Sequence, residues 1–96
     1  MNREQFSETL TREGFQEVLT LALKPDGFVD THSHAWEVRA LILRGELTLT
    51  FGGAQHHYKV GETFNLPLAE PHTERYGPEG VEFLVGRKYP ASTVTP

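Results

Sequence analysis

Three of the five histidines in this chain are spaced so that they can share one ion. His32 and His34 stand two apart in a run that reads as a strand. That spacing turns both imidazoles to one face, where their nitrogens can converge on a metal about 2.0 to 2.2 Å away. His72 follows Pro67 and Pro71 at the head of a later strand, a position that a closed sheet can bring across from the first pair. Three neutral imidazoles leave coordination positions open, as a metal that binds or activates a ligand requires and a closed structural site does not. The chain has no cysteine, which excludes thiolate sites, disulfides and Cys nucleophiles together and leaves His and carboxylate as the strong ligands. The cofactor expected is one divalent transition metal, with zinc, iron, manganese, nickel and copper all accepting imidazole. The competing reading makes the histidines polar residues at a strand start and a turn, because a single His-x-His pair is a weak signal.

Other side chains near these histidines can do chemistry. Glu74 and Tyr76 share the strand parity of His72, so they are the candidate catalytic pair. Glu74 is placed to ligate the metal or to orient an imidazole, and Tyr76 to line the pocket. Arg39 and Arg75 can hold a carboxylate or phosphate by bidentate hydrogen bonds, or form ordinary surface pairs. Trp36 is placed to wall the cavity or to anchor an interface. His56 and His57 point in opposite directions and read as surface residues.

The elements that must position these groups are nearly all strands. Asn2 to Glu13 reads as one short helix, with Asn2 as cap, Phe6 and Leu10 on one face and Gly14 as terminator; it is expected to pack outside the main body. From Phe15 to Leu23 the apolar period becomes two, and Pro25-Asp26-Gly27 marks a turn. Short strand-like runs follow over Phe28–His34, Trp36–Leu43, Leu47–Phe51, His56–Val60, Thr63–Leu66, His72–Tyr76 and Val81–Val85. Gly52-Gly53 suits a two-residue hairpin turn, since both positions tolerate positive φ. So many strands in so short a chain predict an all-β barrel, which limits unpaired edges. The expected organisation is a helix over 1–14, a barrel over 15–89 and a tail over 90–96.

The order of features around the histidines resembles the cupin superfamily of small jelly-roll barrels. The first cupin motif is matched by Gly27, His32, His34, Glu37 and Gly45, with the hydrophobic run Val38–Leu43 between. The second is matched by Gly61, Pro67 and His72, with Ala69 standing where the family has a glycine. Fifteen residues separate Gly45 from Gly61, like the shortest spacing among microbial cupins. The resemblance implies a three-histidine metal site inside a jelly-roll barrel, with dioxygenase, isomerase or hydrolase chemistry if the protein is an enzyme, and a homodimer paired through Phe15–Leu23. The family's glutamate falls four or five residues after the second histidine, whereas Glu37 is three after His34 and Val38 takes the glutamate's place when counted from Gly45. If Val38, Ala40 and Ile42 face inward, Glu37 faces away. Three histidines plus water are therefore expected, with Glu74 as the rival carboxylate.

Composition narrows the partners. Thirteen acids against nine Lys and Arg give a net charge of −4 with no basic patch, which argues against nucleic acid. Hydrophobic residues at 38% and charged residues at 23% fit a soluble globular domain. The polar start of the chain and the lack of an apolar run near 20 residues predict neither a leader nor a membrane anchor, hence a cytoplasmic protein. The function expected is a metal-binding barrel that takes a small polar organic ligand, either as an enzyme or as a non-catalytic binding and sensing module.

Overall fold

The computed structural model describes residues 1–90, so the predicted tail over 90–96 lies, from 91 onward, outside the described residues. Helix α1 spans Arg3–Arg12. Its first turn is closed reciprocally, the Asn2 side chain accepting from the Gln5 backbone N–H at 2.8 Å while the Gln5 side chain accepts from Asn2 N at 3.2 Å. Six strands follow: β1 Glu17–Leu23, β2 Phe28–His32, β3 Glu37–Phe51, β4 Ala54–Lys59, β5 Thr63–Leu66 and β6 His72–Lys88. All pair antiparallel. Among the described residues no helix is long and apolar enough to cross a membrane.

The two long strands organise the rest. β3 and β6 run against each other from Glu37↔Lys88 to Thr50↔Thr73, with register shifts near Gly45. In one half β6 also pairs with β1 and β3 with β5; in the other half β6 pairs with β2 and β3 with β4. The chain therefore makes two four-stranded halves that share their central pair. Four separate strands were expected where β3 and β6 lie, because Arg44-Gly45-Glu46 and Gly77-Pro78 read as breaks. β3 and β6 are instead paired on both sides of these segments, with register shifts at Ile42/Arg44 and Gly45/Leu47, so each strand bends there without ending. The Gly52-Gly53 turn forms as expected: Phe51 pairs with Ala54 and both glycines have positive φ.

Each face of the sheet buries its own core. Val38, Ala40, Ile42, Leu47, Leu49, Phe64 and Phe83 belong to the inner cluster, between the two halves. The inward set of β3 changes from even to odd positions across the bulge near Gly45, and that of β6 from Tyr76 to Val81, so both strands keep an apolar face inside after bending. On the outer face Leu41 and Leu84 meet Phe6, Leu10 and Phe15, and this contact docks α1 on the outside of the sheet as its amphipathic spacing predicts.

Candidate metal centre

β2 is a short strand with a fault in it, and the fault aims His32. Val29 pairs with Glu74 but His32 pairs with His72, so β2 carries one more residue than β6 over the same interval. This bulge lets Val29 and His32 both face the cavity despite their odd spacing. β2 ends at His32, so His34, expected on the strand, lies instead in the loop to β3. The loop is held in place: the His34 carbonyl accepts from Ala69 N at 3.0 Å, and the His34 ring stacks on Trp36 at 5.0 Å between centroids. His72, Glu74 and Tyr76 project inward from alternate positions of β6, as their parity predicts.

These side chains converge. The three imidazole centroids are 4.3, 5.0 and 5.2 Å apart, and one ligand atom from each of His32, His34, His72 and Glu74 lies within 4.8 Å of all the others. His72 is the most enclosed, 2% exposed. Backbone carbonyls fix the tautomers of two rings: His32 Nδ1 donates to the Asp30 carbonyl at 2.8 Å and His72 Nδ1 to the Glu70 carbonyl at 2.9 Å. A carbonyl only accepts, so in the neutral rings the proton is on Nδ1 and Nε2 presents a lone pair. Both Nε2 atoms face Glu74 Oε2, at 3.1 and 3.2 Å. Lone pairs crowded on a carboxylate oxygen repel unless a cation or a proton stands among them, and this donor set fits a divalent ion. The cluster is able to hold a metal ion.

Burial acts on one imidazole of the cluster and on the tyrosine beside it. Burial, reinforced by His72 and His32, lowers the pKa of His34, which favours the neutral ring. Burial and then the Glu74 charge hold the Tyr76 hydroxyl well above its ordinary range, so it stays a donor, and it donates to Glu74 Oε1 at 3.1 Å. One oxygen of Glu74 is thus occupied by Tyr76 and the other turned to the histidines. The carboxylate in the cluster comes from β6, whereas Glu37 pairs beside Lys88 and does not line the cavity, as its parity predicts.

His32, His34 and Glu74 of the cluster line a cavity of about 260 Å³ with mostly apolar walls, among them Leu21, Val38, Leu49, Phe64 and Val85. Trp36 is part of the wall. Arg39 and Arg75 are not: Arg39 pairs with Glu13 and lies over Phe15, and Arg75 lies over Phe28. His57 bonds Thr48 and faces Glu46, while His56 stacks on Phe51. The residue that sequence reasoning passed over is Arg87, which lines the cavity. Its signal was the alternation Val81, Phe83, Val85, Arg87 along β6.

No protein-family model matches the sequence, and no curated protein matches it. Solved structures do. A protein of unknown function from Rhizobium leguminosarum aligns with a TM-score of 0.71 at 23% identity, over 77% of this chain and 69% of that one. A cupin superfamily protein from Desulfitobacterium hafniense aligns with a TM-score of 0.63 at 17% identity, over 78% of this chain and 80% of that one. The fold is a cupin barrel. A variant of Bacillus subtilis oxalate decarboxylase gives a TM-score of 0.61 at 26% identity over 75% of this chain, which spans 20% of the decarboxylase chain.

Where the cupin motif carries glycine, Ala69 adopts a left-handed φ of 63°. Ala69→Gly removes that strain, so urea unfolding of the variant is expected to show a gain of about 0.5 to 1 kcal/mol. An unchanged or lowered midpoint would mean that the turn holding the His34 loop is not strained.

Proposed function

We propose that this cupin binds one divalent transition metal through His32, His34, His72 and Glu74 and uses it to take a small organic ligand into the barrel. The observation that carries the reading is the pair of Nε2 lone pairs facing one carboxylate oxygen. Zinc, iron, manganese, nickel and copper all suit this donor set. Bound there, the ion would supply a Lewis acid next to an apolar chamber. Glu74 would be both ligand and proton acceptor, and Tyr76 a donor that steers it. The edge of β1, which among the described residues pairs only with β6, supports a homodimer through that strand.

A second reading, a binding or sensing barrel without turnover, is favoured by one observation. Glu74 and Tyr76 hydrogen-bond to each other, so neither presents an uncommitted acid or base to a ligand. Oxygen, decarboxylation and isomerisation assays on metal-loaded protein separate the two readings.

Elemental analysis of protein purified without a metal-binding tag tests the common claim. Close to one equivalent of metal is expected. Stripping it with chelator and restoring it at about 100 times Kd should return about 2.7 kcal/mol of stability. In a domain of this size that is a rise in Tm of about 10 to 20 °C. No uptake and no thermal shift with any of the five metals would refute it.

A further inference from the structure

The geometry points to a carboxylate-bearing ligand: a small, otherwise apolar molecule whose carboxylate is held by Arg87 while another of its oxygens faces the four-residue cluster. The placement of Arg87 makes the case. It is at the end of β6, its side chain only 26% exposed, and its guanidinium carbon lies 4.8 Å from the centroid of the Trp36 ring. The same indole stacks on His34, so one aromatic side chain joins the guanidinium to the metal cluster. Glu74 and Arg87 are the two charged residues in the cavity lining apart from its histidines; aliphatic and aromatic side chains make up nearly all the rest.

Among the described residues Arg87 makes one ion-pair contact, from Nη1 to Glu17 at 3.3 Å; the Tyr89 hydroxyl donates to the same Glu17 oxygen at 2.8 Å and is also a partner of the Arg87 side chain. A guanidinium carries five N–H donors in a fork that matches a carboxylate. Stacking on Trp36 holds that fork flat and in place, which lowers the entropy lost when an anion binds. The inference rests on the metal reading for its second contact. With a divalent ion beside Glu74, the ion and Arg87 together leave the chamber net positive within apolar walls, and an anion compensates that charge better than a neutral molecule can.

The chain has one tryptophan, and it lines the cavity, so Trp36 fluorescence reports occupancy directly. Acetate, butyrate, levulinate and benzoate, each beside its primary amide, are titrated into metal-loaded and metal-stripped protein. At least one carboxylate is expected to bind about ten-fold or more tightly than its amide, the amount a charge-assisted pair supplies. R87Q, which keeps a polar, hydrogen-bonding side chain but loses the charge and the fork, should bring the ratio to within about two-fold, with metal content unchanged. E17Q, which releases the guanidinium from its internal partner, should raise carboxylate affinity, a gain that a purely structural Arg87 would not give. Equal binding of acids and amides, no binding by any member of the set, or a preference that survives in R87Q would overturn the inference. The metal reading fails separately: protein that takes up no metal but still prefers carboxylates, with the preference lost in R87Q, keeps the Arg87 subsite and discards the metal.

Discussion

Replacing His72 with alanine is expected to abolish stoichiometric metal while leaving a folded barrel. His72 is the most enclosed of the three imidazoles, and its Nδ1 is already committed to the Glu70 carbonyl, so its Nε2 can turn nowhere but toward the cluster. Loss of an outer partner of a metal ligand commonly costs 10- to 100-fold in affinity, and loss of a buried ligand should cost about 100-fold or more. Stability should divide in a telling way. Without metal, His72→Ala removes packing but also relieves the crowding of lone pairs on Glu74 Oε2, so the metal-free variant should lose only about 1 kcal/mol. With metal, the variant should forgo the whole thermal gain of the parent. Metal titrations followed by calorimetry, with Tm measured on stripped and loaded protein, check both halves. A variant that keeps one tight equivalent would remove His72 from the site.

The second large effect is expected at the bend, from Gly45→Ala. Gly45 has a φ of 72°, and a Cβ there would fall well inside contact distance of the Gly80 carbonyl on the facing strand, a backbone atom with little freedom to retreat. Left-handed φ in a non-glycine residue costs roughly 1 to 2 kcal/mol, and overpacking adds about 1 to 3. The sum, about 2 to 5 kcal/mol, is a large share of the ~5 to 15 kcal/mol of a typical domain. Gly52→Ala provides the comparison, since φ there is 60° but a Cβ would meet nothing within 4 Å. Urea denaturation should therefore show Gly45→Ala costing at least 1 kcal/mol more than Gly52→Ala. Equal losses would mean that β3 and β6 do not approach so closely at the bend.

What could be read before any coordinates were known depended on how local its cause was. The cap at Asn2, the Gly52-Gly53 turn and the shared face of His72, Glu74 and Tyr76 follow from neighbours within a few residues, and all three appear as read. Strand number was not legible, because a glycine that ends a strand and one that bends it look alike; only the pairing of β3 with β6 distinguishes them. His32 faces inward, as period two predicted, yet it does so through a bulge while His34 has already left the strand. The cluster's carboxylate was open between Glu37 and Glu74 because the choice depends on register across strands distant in sequence. Arg87 escapes a sequence reading for a simpler reason: the apolar run of the last strand ends at Val85, whereas the strand continues to Lys88.

The partners of the first two strands impose an order on synthesis. Among the described residues β1 and β2 pair with β6 alone, Glu17 with Arg87 and His32 with His72, so neither strand has its neighbour until β6 leaves the ribosome. At about 5 to 20 residues per second, a nascent chain holds those strands as open edges for several seconds. Throughout that interval it holds only two members of the four-residue cluster, His32 and His34. Under the proposed metal reading tight capture has to wait for β6, and a chain interrupted before it has neither a closed barrel nor the full four-residue cluster.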